Sequence, residues 1–135
     1  MSIKKLFSIF LFLSVSFSAF TQTLTVEITN LNFKLGGTVY LMVVDKNDKP
    51  LRQATRPISE KNNIFIFKDL ASTVCAVRVF HDKNNNGKMD TGFFGQPIEG
   101  WGVSNDARGF MSAPPFKKML LTVSGETKTA IRLDY

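Results

Sequence analysis

Residues 74–90 read V-C-A-V-R-V-F-H-D-K-N-N-N-G-K-M-D, an apolar run that ends abruptly in a polar loop containing a glycine. From Val74 to His81 the apolar side chains follow the two-residue period of a β-strand, so alternate side chains from Cys75 onward share one face. Arg78 marks the opposite face as partly solvated. Cys75 is the single cysteine of the chain, and we expect it to be a small buried hydrophobe rather than a reactive thiol.

Further segments with a strand pattern lie on both sides of this one. They span residues 24–29, 38–45, 51–58, 64–67, 120–123 and 129–133, of which 51–58 is weakened by Pro57. Turns rich in Gly, Pro and Asn separate them, and no stretch combines a helical period with a cap. The pattern predicts an all-β fold, a single antiparallel β-sandwich of six to seven strands formed by residues 22–135. The segment from about residue 82 to residue 115 is predicted to form one long ordered loop.

The loop from Asp82 to Asp90 has the spacing of a calcium-binding loop. Its first, third, fifth and ninth positions carry side-chain oxygens, and its sixth is Gly87, which permits a sharp bend. The predicted metal ligands are the side chains of Asp82, Asn84, Asn86 and Asp90 and the backbone carbonyl of Lys88. Five ligands are fewer than the six to eight that Ca²⁺ takes, so Glu99 or Asp106 is a candidate for completing the shell.

This loop is not an EF-hand, because Phe93 stands where an EF-hand carries its bidentate glutamate. Two carboxylates give a formal ligand charge of only minus two, and Lys83 and Lys88 oppose a cation. We therefore expect weak Ca²⁺ binding, with a Kd of about 10⁻⁴ to 10⁻³ M. A metal-free turn is the alternative, since Asn, Asp and Gly also cluster where Asx-turns follow a strand.

The remainder of the predicted loop is rich in glycine, proline and large aromatic residues. Phe93, Phe94, Trp101 and Phe110 are too many aromatics for a disordered segment, so this stretch is expected to fold back on the sandwich. Phe93, Phe94 and Trp101 are candidates for a surface that binds a glycan or a protein. The alternative is a minor core beneath the loop, which the usual burial of large apolar side chains favours.

The first 21 residues are typical of a secretory signal peptide. Lys4 and Lys5 precede an apolar run at residues 6–17, and small residues follow, so cleavage is expected between residues 18 and 22. The run is too short for a membrane anchor, and we expect an exported mature chain, periplasmic or extracellular, without a transmembrane segment. We also expect it to be a monomer.

The net charge of the chain is +6, and removal of the two leader lysines leaves 15 basic residues against 11 acidic ones. The basic residues are scattered and do not cluster with aromatic residues, which argues against nucleic-acid binding.

The stretch H-D-K-N-N-N-G-K-M-D-T-G-F-F-G-Q-P-I-E-G-W-G-V-S-N-D-A-R-G at residues 81–109, followed by A-P-P-F at 113–116, resembles the hallmark of exported bacterial proteins grouped as domain-of-unknown-function family 2141. The resemblance runs from about Leu24 to Tyr135. The matching positions are His81, Asp82, Asn84, Asn86, Gly87, Asp90, Gly95, Pro97, Glu99, Gly102, Ser104, Asn105 and Pro115. The resemblance implies a signal peptide and a small β-sandwich, and it implies no particular reaction.

These observations predict an exported, non-catalytic binding or structural module. Its calcium-type loop would order the aromatic, glycine- and proline-rich segment that follows. One alternative is a hydrolase-like enzyme that uses His81 with Glu99, although no nucleophile setting, zinc cluster or cofactor fingerprint accompanies them. Another is an accessory subunit of a surface complex that pairs through an exposed sheet edge.

Overall fold

A computed structural model of the chain describes residues 21–60 and 63–135. The predicted signal peptide therefore lies, except for residue 21, outside the described residues. The strands are β1 (Thr23–Thr29), β2 (Thr38–Asp45), β3 (Pro50–Pro57), β4 (Ile64–Phe67), β5 (Val74–Asp82), β6 (Gly100–Val103), β7 (Leu121–Thr122) and β8 (Glu126–Arg132). Two 3₁₀ turns (Phe33–Leu35 and Ser104–Asp106) and one short helix, α1 (Phe116–Met119), complete the elements.

The strands form two sheets that enclose one main core. One sheet has the order β4-β1-β8, and the other has the order β3-β2-β5-β6 with β7 also paired to β5. The predicted β-sandwich is confirmed, with eight strands among the described residues instead of the six to seven expected. All pairs are antiparallel except β1 and β8, which run parallel along their whole length from Thr23–Glu126 to Thr29–Arg132. A parallel pair needs a long crossover connection, and here nearly the whole chain provides it.

Alternation along the strands directs apolar side chains from both sheets into the main core. Val26 of β1 and Val77 of β5 are typical of this face, and both are fully buried. Cys75 lies in the same core, as expected, and burial raises the pKa of its thiol to about 11. A thiol in this environment stays protonated near neutral pH and is a poor nucleophile.

A second, smaller core covers part of the outer face of the larger sheet. The chain between residues 104 and 120, which we call the lid segment, packs across this face and buries Met119 and Ala107 against Val44, Ala76 and Val103. Ser104 fixes the lid segment to the sheet, because its buried hydroxyl accepts a hydrogen bond from Val77 N at 2.9 Å and donates to Met119 O at 2.5 Å. The minor core predicted beneath the loop therefore exists.

The described residues differ from the predicted elements mainly between 82 and 115. Strand β3 forms despite its prolines, because Pro50 and Pro57 stand at its two ends and β3 is an edge strand, where a missing donor is tolerated. The segment predicted as one loop contains β6, paired with β5, and the second 3₁₀ turn. Among the described residues, no helix has the length and apolar character needed to cross a membrane.

Candidate functional site

Strand β5 carries Asp82 at its last position and holds it fully buried. The two oxygens of its carboxylate accept backbone N–H groups from the loop that follows: Oδ1 from Asn86 at 3.1 Å and Oδ2 from Gly87 at 2.7 Å. Gly87 has a φ of +79°, the left-handed conformation that brings its N–H back toward the strand end. The bend predicted from the glycine is thus formed, and the buried carboxylate lies at its centre.

The other oxygen-bearing side chains of the loop are linked to each other. Asn84 Oδ1 accepts the same Asn86 N–H as Asp82 does, at 3.1 Å, so the first two predicted ligand side chains converge on one backbone nitrogen. The amide groups of Asn84 and Asn86 donate to the Asp90 carboxylate, at 2.5 and 2.8 Å. The structure therefore brings together four of the side chains predicted to bind metal.

Glu99 supports this loop from outside it. Its side chain is 1% exposed, and its two oxygens accept the backbone N–H groups of Lys83 and Asp90, both at 3.0 Å. Glu99 thus holds together the two ends of the loop at the position where the chain returns to β6. Because each carboxylate oxygen has a second lone pair, Glu99 and Asp82 could contact an ion while keeping these hydrogen bonds.

The surroundings of Asp90 favour its ionised form. Hydrogen bonds from the amides of Asn86 and Asn84 hold the pKa of Asp90 below its ordinary value, and the charges of Lys88 and Lys83 act in the same direction. A deprotonated carboxylate is the form that binds a metal ion.

The donor set fits a hard, oxygen-preferring cation. Carboxylate and amide oxygens are the ligands of Ca²⁺, whereas Zn²⁺ sites use nitrogen and sulfur. Within residues 21–60 and 63–135, no three His, Cys, Asp or Glu side chains are close enough together to hold a metal. Binding at this loop would consequently depend on the amide oxygens of Asn84 and Asn86, a composition that agrees with the low affinity expected from the sequence.

Asp106, the other candidate for the shell, does not lie at the loop. It belongs to the second 3₁₀ turn, where its carboxylate accepts the backbone N–H of Arg132 at 2.9 Å. The neighbouring Ser104 contacts Val77, five positions before Asp82 on β5, which corresponds to roughly 16 Å along a strand. The antiparallel course of β6 carries Asp106 away from the loop end, whereas Glu99, just before β6, stays beside it.

His81, the residue named in the enzymatic alternative, is fully buried and bonded at both ring nitrogens. Nε2 contacts the backbone carbonyl of Gly36, and Nδ1 lies 2.8 Å from the Tyr135 hydroxyl, which also accepts the N–H of Asn32. A carbonyl can only accept, so Nε2 carries a proton, and in the neutral ring Nδ1 accepts from Tyr135. Burial raises the pKa of the Tyr135 phenol, keeping it a donor. Sequence reasoning missed this role of Tyr135, for which no local pattern gives a signal.

The candidate aromatic residues do not form one surface. Phe93 and Phe94 are 95% and 88% exposed and contact each other edge to face, with ring centres 5.2 Å apart. Trp101 is only partly exposed, packs against the second core and has the guanidinium of Arg108 over its ring at 5.1 Å. The expectation of a minor core is thus met by Trp101 and is wrong for Phe93 and Phe94. Phe110, which was expected to help fold the segment back on the sandwich, is 91% exposed.

A groove of about 520 Å³ lies on the uncovered part of the larger sheet, beside the loop. Its floor includes Tyr40 and Phe80, cross-strand partners whose rings stack with centres 4.8 Å apart, and Arg78, which is paired with Asp48. Gly87 and Met89 of the loop line one side of it. The loop therefore forms one side of the groove, whose other lining residues come from three strands of the larger sheet. Sequence analysis did not predict the groove because these residues are far apart in the sequence.

Comparisons with known proteins agree with the resemblance seen in the sequence. Comparison with curated proteins and with solved structures gave no match. The family model described as an uncharacterized protein conserved in bacteria (DUF2141) matches residues 26–132, from the first strand to the end of the last. The chain therefore belongs to the DUF2141 family.

Proposed function

We propose that this protein is an exported, non-catalytic binding module whose loop at residues 82–90 takes up Ca²⁺ with weak affinity. The proposed ligands are the side-chain oxygens of Asp82, Asn84, Asn86 and Asp90 and the carbonyl of Lys88, with Glu99 beside them. We propose export because residues 1–21 have the pattern of a secretory signal peptide. Weak Ca²⁺ binding suits an exported protein, since extracellular modules bind Ca²⁺ with Kd values in this range.

One observation carries the calcium proposal. Hydrogen bonds link four oxygen-bearing side chains around Gly87, which has a left-handed conformation; they are those of Asp82, Asn84, Asn86 and Asp90. The backbone of such a loop is already folded before an ion arrives, so binding loses little backbone entropy. The ion would take the place of the Asn84 and Asn86 amide N–H groups that now donate to Asp90. The deeper position of Asp82 and Glu99 also suits a cation, because a buried carboxylate loses less by screening than an exposed one.

The geometry supports a binding module over the enzymatic alternative. His81 is fully buried with both ring nitrogens occupied, and both Glu99 oxygens accept backbone N–H groups. A general base must reach the proton it abstracts, and neither side chain reaches solvent or the groove. Ser104 is likewise buried and bonded on both sides.

Thermal unfolding in Ca²⁺, in Mg²⁺ and in chelator tests the proposal. An ion that binds only the folded state at 10 mM, with a Kd of about 10⁻³ M, adds about 1.4 kcal/mol to the free energy of unfolding. The melting temperature should rise by a few degrees in Ca²⁺ and less in Mg²⁺, which demands tighter octahedral geometry. An unchanged melting temperature at 10 mM Ca²⁺ would refute the proposal.

A paired substitution sharpens this test. The double variant Asn84→Asp with Asn86→Asp replaces the two amide donors to Asp90 with repelling carboxylates, so it should unfold more easily than wild type in chelator. With Ca²⁺ the added ligand charge should reverse that order and strengthen binding. A loop that serves only as a turn would stay destabilised in both buffers.

Asp106→Asn is the matched control, since it also removes a carboxylate near the strand ends but lies away from the loop. It should leave the Ca²⁺-dependent shift intact, whereas Asp82→Asn should abolish it. Loss of the shift in Asp106→Asn would show that the ligand set has been assigned to the wrong residues.

A further inference from the structure

The turn at residues 91–98, which we call the aromatic tip, holds two phenylalanine rings out in solvent. The tip is closed by a β-bridge between Thr91 and Pro97 and by a hydrogen bond from Gly92 N to Gln96 O at 2.7 Å. The side chain of Gln96 also accepts the N–H of Phe94 at 3.1 Å. The exposure of Phe93 and Phe94 is thus built into an ordered turn rather than resulting from a lack of structure.

Two adjacent phenylalanines this exposed indicate a surface that becomes covered. Large apolar side chains are normally withdrawn from water, and a contiguous exposed group of them marks an interaction site. Ile98, at the base of the tip, is 51% exposed and extends the apolar surface. Because the two rings are almost wholly exposed on an ordered turn, both could enter an apolar layer together.

The charged residues next to the tip fall into two groups, an exposed one that is mainly basic and a buried one that is acidic. Lys83 and Lys88 are exposed, and the Lys83 ammonium donates to Ile98 O at 3.2 Å, directly beneath the tip. Asp82 and Glu99 are buried and bonded to backbone N–H groups, which leaves Asp90 as the only carboxylate of residues 82–99 that reaches the surface. The tip itself, residues 91–98, carries no charged residue.

A bound calcium ion would change the sign of the total charge at this end. Residues 82–99 contain three carboxylates and two lysines, a formal charge of −1, and a divalent cation would bring it to +1. The exposed group is basic with or without the ion, because it contains two lysines and one carboxylate. A bound ion would add to the attraction that these lysines exert on anions.

We propose that the aromatic tip docks on an anionic lipid surface, with Phe93 and Phe94 inserted at the level where headgroups meet acyl chains and Lys83 and Lys88 at the headgroup phosphates. Lysine stems are long enough to keep the ammonium groups in the headgroup layer while the rings enter the apolar boundary. The calcium-dependent part of this inference rests on the proposed function, and the lipid contact of the tip does not.

Co-sedimentation with vesicles tests the proposal, using the chain from residue 22 onward, which contains both sheets and both cores. Residues 6–17 are left out because an apolar run would itself bind lipid. The protein should bind vesicles of phosphatidylglycerol and phosphatidylcholine and bind pure phosphatidylcholine much less. The double variant Phe93→Ala with Phe94→Ala should weaken binding about tenfold or more, and Lys83→Gln with Lys88→Gln about tenfold or more.

Phe110 and Met111 supply the matched control. They are 91% and 93% exposed on the lid segment, and the nearby Arg108 is already paired with Asp134. Phe110→Ala with Met111→Ala should bind anionic vesicles as wild type does. Equal losses in the Phe93 and Phe94 variant and in the Phe110 and Met111 variant would overturn the proposal. So would no binding of the wild-type chain to anionic vesicles, a result that would leave a protein as the partner of the tip.

Running each arm in Ca²⁺ and in chelator separates this inference from the proposed function. Calcium should increase binding of the wild-type chain and of the Phe110 and Met111 variant, and Asp82→Asn should remove the increase. If the melting temperature does not respond to calcium but the Phe93 and Phe94 variant still loses vesicle binding, the metal proposal fails and the lipid contact stands.

Discussion

Two segments lie beside each other on the larger sheet, and different forces hold them in place. One is the lid segment, residues 104–120, and the other is the loop with the aromatic tip and Glu99, residues 82–99. The lid segment buries Met119 and Ala107 on an apolar face and adds one buried hydroxyl. The loop buries almost nothing apolar and is held by hydrogen bonds to Asp82, Asp90 and Glu99. Apolar burial is indifferent to pH and to cations, so Ca²⁺ should act on the loop and leave the core beneath the lid segment unchanged.

Met119→Ala should show the largest effect in the lid segment. Met119 is 5% exposed within the second core, and truncating a buried methionine costs about 2–5 kcal/mol of unfolding free energy. Urea denaturation in Ca²⁺ and in chelator should give the same loss in both buffers. If the loss depends on calcium, the lid segment and the loop are coupled and the contrast between them breaks down.

Gly87→Ala should have a smaller effect, confined to the loop. An alanine at the φ of +79° costs about 1–2 kcal/mol, and the added methyl group has room, since its nearest neighbour would be the Tyr40 hydroxyl at 3.9 Å. Gly95→Ala is the matched substitution, at a φ of +78° in the aromatic tip with open space around it. Both variants should have melting temperatures below that of wild type, by similar amounts. Only Gly87→Ala should reduce the rise in melting temperature that Ca²⁺ causes. An unchanged calcium response in both would separate the bend from the site.

The pH dependence of Asp90 should be the smallest effect. Its folded pKa lies below its ordinary value, near 3.9 in an unfolded chain, because the amides of Asn86 and Asn84 stabilise the charged form. The stability it contributes is therefore present above about pH 4 and is lost as the pH falls through the lower folded pKa. In chelator, the gap in unfolding free energy between wild type and Asp90→Asn should close on acidification. A gap that stays constant to low pH would show that the carboxylate charge does not stabilise the loop.

Alternation and short apolar, β-branched runs predicted every strand of both sheets except β6, because each strand buries one face against the same core. These patterns could not reveal β6, whose residues G-W-G-V offer two glycines and no alternation, and which forms by pairing with β5. They also could not show that β1 and β8 run parallel, since pairing direction depends on distant parts of the chain.

Within the candidate site, local spacing succeeded where the residues act locally. Asp82, Asn84, Asn86 and Asp90 come together because a single turn contains them. The sequence leaves both Glu99 and Asp106 as candidates for completing the shell of ligands. The choice between them depends on the course of β6, which the sequence does not predict. Phe93 and Phe94 were favoured for burial because large apolar residues usually are buried, a rule that does not hold where an ordered turn displays them.

The parallel pairing of β1 with β8 also governs how the protein can fold. The Thr29 hydroxyl donates a hydrogen bond to Ile131 O, 102 residues further along, so the smaller sheet cannot be completed until β8 is present. Closing so long a loop is entropically slow, and folds dominated by distant contacts take milliseconds to seconds. A chain threaded through a narrow channel could therefore pair the strands of the larger sheet first, and would complete the smaller sheet only when β8 emerges.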